Sequence, residues 1–383
     1  MFEVFWQFFK LGLVSFGGPA AHLGYFQRRF VQQLGWLSQS QYSQLVALSQ
    51  LLPGPGSSQV GFAIGHQRAG LAGGIAAFVG FTLPSFALLL ALALGYGQWQ
   101  AWPWSISIIA GLKLVALVVV ADAVWQMANA FCRKPADWLL AALVAAVMLV
   151  SNQLLTQLLA LATAALWGWW SSRTDALVQP AAVKTAKLTV NPLALLCLLA
   201  FSGYLLWPSD SALGQLAADF YQAGALVFGG GHVVLPLLQS LLADSLSNSE
   251  FLTGYAAAQV VPGPMFTMAT YLGAMSVPED PVVAATIVTI AIFLPGLLLT
   301  WLCLDSWQAI TQRPRFAAVI AAVNTAVVGL LFSALYQPVF VSAVNSGLDL
   351  AIAALALVLL RQWRWPLLAV IALTVVAKIV VSI

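Results

Sequence analysis

The stretch Gln50-Leu51-Leu52-Pro53-Gly54-Pro55-Gly56-Ser57-Ser58 interrupts an apolar run over residues 41–66, and its reading decides the fold. Proline lacks an N–H and glycine loses the most entropy on ordering, so such a cluster ends one helix and begins another. Each flank is about 11–14 residues, or roughly 16–21 Å of helix at about 1.5 Å per residue. That length reaches the middle of a bilayer and little further. The same interruption occurs three more times. Residues 4–32 break at Phe16-Gly17-Gly18-Pro19, 217–243 at Phe228-Gly229-Gly230-Gly231, and 251–276 at Pro262-Gly263-Pro264. These are either four kinked spanning helices or four helical hairpins whose tips meet at the midplane.

The interruptions come in matching pairs. Phe8-Phe9-x-x-Gly12-x-x-x-Phe16-Gly17-Gly18 recurs as Phe220-Tyr221-x-x-Gly224-x-x-x-Phe228-Gly229-Gly230, and Gln50-x-x-Pro53-Gly54-Pro55 recurs as Gln259-x-x-Pro262-Gly263-Pro264. Pro84 in Phe81-Thr82-Leu83-Pro84 matches Pro295 in Ile292-Phe293-Leu294-Pro295. The three pairs are separated by 212, 209 and 211 residues. One pair is within reach of chance; three in order read as a duplicated unit of about 170 residues, with Pro84 and Pro295 as bends.

Further apolar segments lie at 70–95, 105–130, 136–150, 153–171, 191–207, 281–303, 316–336, 346–360 and 366–382, each read as a spanning helix. Composition agrees. Hydrophobic residues make up 61% of the 383 and charged residues 7%, where a soluble domain carries about 25% charged. So few charges cannot coat a soluble surface, which excludes a cytosolic enzyme, a nucleic-acid binder and a disordered chain. Cys132, Cys197 and Cys303 match no metal or redox spacing and read as small buried apolar residues. Met1-Phe2-Glu3-Val4 lacks the basic start of a signal peptide and reads as the beginning of the mature chain.

The expected fold is an all-α polytopic membrane protein of 13 hydrophobic segments, about 9 spanning helices plus 4 broken, re-entrant hairpins. Residues 1–172 and 211–383 are two homologous transporter repeats, and 173–210 are a cytoplasmic linker with a connecting transmembrane helix. An odd connecting helix inverts the second repeat, and inverted repeats with interrupted helices are a transporter architecture. With the broken stretches treated as hairpins, Arg28, Arg29, Arg68, Arg133, Lys134 and Arg361 share one face, and Asp244, Glu250 and Asp349 the other. The basic face is cytoplasmic by the positive-inside rule. The N-terminus is therefore expected in the cytoplasm and the C-terminus outside it.

A helix that begins at a membrane midplane exposes unpaired N–H groups and the positive end of its dipole, a setting suited to an anion. The candidate binding residues are Gly17, Gly18, Pro19, Pro53, Gly54, Pro55, Gly56, Ser57 and Ser58 in the first repeat. In the second they are Gly229, Gly230, Gly231, His232, Pro262, Gly263, Pro264 and Thr267, the last as a hydroxyl donor. A helix end contributes about 0.3–2 kcal/mol to an anion, while stripping a dianion of water costs tens of kcal/mol in the Born limit. A fixed cation or a proton would help more. Lys113 is the one basic residue deep in a spanning segment, and its repeat counterpart is Asn324. An intramembrane lysine is a functional candidate by default; the alternatives are snorkelling to an interface or pairing with Asp122, which lies on the opposite face of the same helix. His22, His232 and Asp122 are the proton-coupling candidates, and a satisfied structural donor is the other reading of each histidine. The sequence holds no P-loop, metal cluster or Ser/His/Asp constellation, so no cofactor is expected and transport is secondary or passive.

Together these motifs resemble the chromate ion transporter family in its long, two-domain form. The resemblance is carried by Ser15-Phe16-Gly17-Gly18-Pro19-Ala20-Ala21-His22, Gln50-Leu51-Leu52-Pro53-Gly54-Pro55-Gly56, Gly80-Phe81-Thr82-Leu83-Pro84, Phe228-Gly229-Gly230-Gly231-His232-Val233-Val234-Leu235-Pro236 and Gln259-Val260-Val261-Pro262-Gly263-Pro264. It covers nearly the whole chain. It implies a secondary transporter that exports chromate across a bacterial inner membrane and confers chromate resistance, with sulfate as a competitor or related substrate. The expected partners are that oxyanion, the lipid bilayer, a coupling proton and a second copy of the chain in a homodimer, with no nucleic acid. A passive anion channel and a transporter of sulfate or another oxyanion stay open as alternatives. A chromate-reducing membrane enzyme lacks any redox cofactor motif.

Overall fold

The computed structural model describes residues 1–16, 18–100, 102, 104–151, 153–175, 191–205, 209–228, 233–243, 245–304, 306 and 314–382. Every regular element among the described residues is helical. The first half opens with α1 (Phe2–Val14), α2 (Gly18–Phe26, continued in wider turns to Gln33), α3 (Gln39–Leu51) and α4 (Gly56–Leu94). A short α5 (Tyr96–Gln100) leads to α6 (Ser105–Phe131), α7 (Pro135–Val150) and α8 (Leu154–Asp175). After α9 (Pro192–Leu205) come α10 (Ala212–Leu226), α11 (Val234–Leu241), α12 (Asn248–Val260), α13 (Met268–Ser276) and α14 (Pro281–Cys303). The chain ends with α15 (Pro314–Ala334, prolonged by helical turns to Ala343), α16 (Gly347–Arg361) and α17 (Leu367–Ser382).

The four interruptions fall where glycine and proline put them, between α1 and α2, α3 and α4, α10 and α11, and α12 and α13. A fifth lies inside α4, where Ala69 (φ −150°, ψ 31°) and Gly70 (φ 63°, ψ −159°) are non-helical. It separates the arm that starts at Gly56 from the long segment that follows. No backbone angle departs from helical at Pro84 or Pro295, and both helices continue through them.

The arms of the first hairpin lie side by side. Arg29 donates from Nε and Nη2 to Gln7 Oε1 at 3.0 and 2.7 Å, and Phe8 packs on Phe26 and Phe30 with centroids 5.4 and 4.7 Å apart. Arg68, at the base of the second hairpin, pairs with Glu3 at 3.5 Å and covers the Trp36 ring at 5.0 Å. In the second half, Gly254 of α12 has no room for a Cβ against the Tyr271 ring of α13.

Close helix contacts repeat between the halves. Pro84 has no N–H, which frees the Gly80 carbonyl one turn back. Gly12 of α1 packs there, and a Cβ on it would stand 2.6 Å from Phe81 O and 3.2 Å from Gly80 O. The equivalent Gly224 of α10 packs on Ile292 O of α14, again with no room for a Cβ.

The outward faces are apolar: Leu139 is 61%, Leu159 56%, Leu166 69% and Leu199 62% exposed. Apolar surface on that scale belongs in lipid, and the protein is a multi-pass membrane protein. Among the described residues, four helical stretches, Gly56–Leu94, Ser105–Phe131, Pro281–Cys303 and Ala317–Ala343, are long and apolar enough to cross a membrane. Pro135–Val150, Pro192–Tyr204 and Leu367–Val381 are apolar but shorter. At about 1.5 Å per residue they cover less than a hydrocarbon core of about 30 Å.

Candidate functional site

The chain breaks bond to one another across the two halves. Gly54 N donates to Val227 O at 2.7 Å, and Gly263 N donates to Ser15 O at 2.9 Å. Gly54 and Gly263 are repeat equivalents, and so are Ser15 and Val227. Each half therefore ties its second break to the first break of the other half through the same atoms. Both donors need glycine. Their φ angles are +119° and +113°, in the region that side chains with a Cβ avoid. A Cβ on Gly54 would stand 2.8 Å from Gly296 Cα, and one on Gly263 2.8 Å from Ser85 Oγ. Gly296 and Ser85 are again equivalent positions, on α14 and α4. Gln59 reinforces the junction, donating from Nε2 to Pro53 O at 2.9 Å and Gly296 O at 3.1 Å.

Helix starts differ by location. At the hairpin bases α3 and α12 begin with reciprocal caps, Ser38 with Gln41 and Ser247 with Glu250. At the tip α4 follows Pro55 with no side-chain cap. Its first helical bond, Gln59 N to Pro55 O at 3.0 Å, leaves the N–H groups of Gly56, Ser57 and Ser58 outside the ladder, with the positive end of the helix dipole. The turn Met265–Thr267 likewise follows Pro264 uncapped. Ser15 Oγ and Ser58 Oγ are buried there without partners.

His22 is buried beside these groups, its ring edge-on to Phe81 at 5.3 Å. Its Nε2 lies 3.2 Å from Ser15 O and its Nδ1 3.3 Å from Ser57 Oγ. A carbonyl only accepts, so Nε2 carries the hydrogen; Nδ1 accepts from Ser57 when the ring is neutral and donates to it when the ring is protonated. His22 thus holds the first tip against the start of α4.

A cavity of about 570 Å³ opens against this junction. Pro19, Gly54, Pro55, Gly56 and Ser57 line it from the first half, and Pro264 and Asn324 from the second. Gln50 and Phe266 join them, as does exposed Arg133 just past the end of α6. The carboxamide of Asn324 makes no hydrogen bond among the described residues, and its Oδ1 is buried. Gly18 stands at φ +77° with open space where a Cβ would be, and Pro53 is partly buried behind Gln59.

Other expected site residues lie elsewhere. Thr267 does not offer its hydrogen to the cavity, because its hydroxyl donates to Pro264 O in its own turn. Asp122 is held by Arg361 at 3.1 Å and by Gln126, away from the tips. Lys113 lines a separate cavity of about 500 Å³ with Tyr96, Ser249, Ser342 and Asn345. Gly17, Gly229, Gly230, Gly231 and His232 lie outside the described residues. Sequence reading missed Arg133 and Gln59 as site residues. Arg133 carried only a topological signal, and Gln59, one residue past Ser58, had none beyond its place next to the tip.

Comparison with known proteins identifies the family. The family model described as chromate transporter matches over two regions, residues 2–169 and 214–379. A chromate transport protein of Cupriavidus metallidurans is 28% identical over 357 residues, covering 92% of this chain and 84% of that one. A chromate transport protein of Pseudomonas aeruginosa is 26% identical over 355 residues, covering 86% and 79%. An uncharacterized transporter of Methanocaldococcus jannaschii is 24% identical over 381 residues, covering 98% and 92%. No solved structure matches the chain. With the family model matching most of its length, the chain belongs to the chromate transporter family.

Proposed function

We propose that the protein is a secondary transporter that exports chromate, or a related tetrahedral oxyanion such as sulfate, across the cell membrane by alternating access, and so confers chromate resistance. The observation that carries this reading is the cavity where the uncapped start of α4 meets Asn324, with Arg133 among its lining. Its N–H groups, hydroxyls and amide are donors for the oxygens of an anion. Dehydration limits what they can hold. At about 30 Å³ per water, a cavity of about 570 Å³ has room for the ion with much of its hydration shell. Binding therefore does not require complete stripping, and helix ends of about 0.3–2 kcal/mol each carry weight. The relatives named as chromate transport proteins support chromate as the cargo.

The inverted-repeat reading, with halves at 1–172 and 211–383 joined by 173–210, draws support from the equivalent bonds across the tips and from the two regions of family match. In this reading the cavity faces the cytoplasm, the side assigned to Arg133 by the positive-inside rule, and the two halves move around the bonded tips. The test is uptake of radiolabelled chromate and sulfate into everted membrane vesicles. Wild-type uptake is expected to saturate, with each anion competing with the other. Ala321→Trp fills the cavity from its exposed α15 face and is expected to abolish uptake at unchanged protein abundance. Full uptake by this variant would overturn the assignment of the cavity as the path.

A further inference from the structure

The two cavities are copies of one another, exchanged end for end. Ile109, Ala110 and Lys113 line the smaller one from α6, and their equivalents 211 residues on, Ile320, Ala321 and Asn324, line the larger from α15. The match extends to the opposite wall. Ser342 is the equivalent of Phe131, the last residue of α6, and Asn345 lies one residue past Val344, the equivalent of Arg133. The start of one helix thus faces the end of the other in each cavity, so α6 and α15 run antiparallel and the cavities lie at their opposite ends.

Polar groups are conserved in kind between the cavities but not in place. Asn324 lies deep in the larger cavity and Arg133 lies at the end of α6. In the smaller cavity the cation is deep, as Lys113, and Asn345 stands one residue past the position equivalent to the arginine. Lys113 is eight residues into α6 from Ser105, roughly 12 Å at about 1.5 Å per residue. It is half-buried, and no carboxylate or other partner among the described residues bonds its ammonium. A cation held at such depth without a protein counter-ion needs a reason.

We propose that the smaller cavity is a second oxyanion site, on the extracytoplasmic side, in which the anion is the counter-ion of Lys113 and receives further hydrogen bonds from Ser342 and Asn345. The inference rests on the transport reading above. It gives the two ends of the path different affinities. An anion entering the larger cavity meets its cation at the rim and an amide within, whereas at the smaller one it meets a cation within and an amide at the rim.

The test places one thiol in the smaller cavity. Cys132, Cys197 and Cys303 are replaced by alanine, Ile106→Cys is introduced at the exposed wall of the cavity, and right-side-out vesicles are treated with a membrane-impermeant maleimide. Sulfate is the probe, because chromate would oxidise the thiol. Sulfate is expected to slow labelling several-fold relative to gluconate at equal ionic strength. Adding Lys113→Gln is expected to remove that protection, and Lys113→Arg to restore it. Equal labelling rates with and without sulfate, or protection that survives Lys113→Gln, would overturn the site. Radiolabelled sulfate flux in the same vesicles separates the two readings: flux without protection rejects the second site alone, and protection without flux supports the site while rejecting transport.

Discussion

At the residue scale, charge matters through where it sits. Arg133 is exposed beside the larger cavity, and its Nε donates to Ala130 O at 3.1 Å, which fixes the guanidinium near the end of α6. An exposed charge acts on an approaching anion over roughly the Debye length, about 8 Å at 0.15 M salt. Arg133→Gln is therefore expected to lower chromate uptake several-fold at low ionic strength and little at high, mainly by slowing entry. Equal loss at all salt concentrations would mean that Arg133 holds the fold or the bound ion instead. The sequence singled out Lys113 because it is the lone basic residue deep in a span, a property visible without a fold. The place of Arg133 at the larger cavity was illegible, since it arises only when the end of α6 is brought against α15. His22 could be read as close to a tip, yet its bonds to Ser15 O and Ser57 join residues 7 and 35 positions away.

At the element scale, the tips are set by two glycines whose alternatives fail on backbone and space together. Gly54→Ala and Gly263→Ala are each expected to destabilise the protein by about 1–3 kcal/mol from the disfavoured φ alone. The larger loss should fall at Gly54, where the new Cβ meets the Cα of Gly296; at Gly263 it meets a Ser85 hydroxyl that can rotate away. Thermal unfolding in detergent measures the order, and a Gly263 variant less stable than the Gly54 variant would contradict it. The breaks themselves were legible because glycine and proline signal locally. The hydrogen bonds between breaks were not, although the repeat already implied that any such bond should occur twice. The break at Ala69–Gly70 falls where the sequence reading separates the 41–66 stretch from the segment beginning at 70. Segment boundaries otherwise fell close to the sequence reading, from 105–130 against Ser105–Phe131 to 281–303 against Pro281–Cys303. Apolar runs of that length in so uncharged a chain leave little else to form.

At the scale of the whole molecule, the proposed arrangement has two antiparallel halves joined through their tips, with an anion cavity at each end. The orientation expected from the positive-inside rule is open to reporter fusions. A reporter fused after Ile383 is expected to be active only when it functions outside the cytoplasm, and activity restricted to the cytoplasm would undo the inverted arrangement. Alternating access requires that the cavities open in turn and that the protein is not a continuous pore. It is tested most directly by exchange in proteoliposomes, in which uptake of radiolabelled sulfate is followed with and without unlabelled sulfate or chromate inside. The account predicts saturable uptake that is accelerated by internal substrate. Uptake that carries anion current, does not saturate and is indifferent to internal substrate would contradict it.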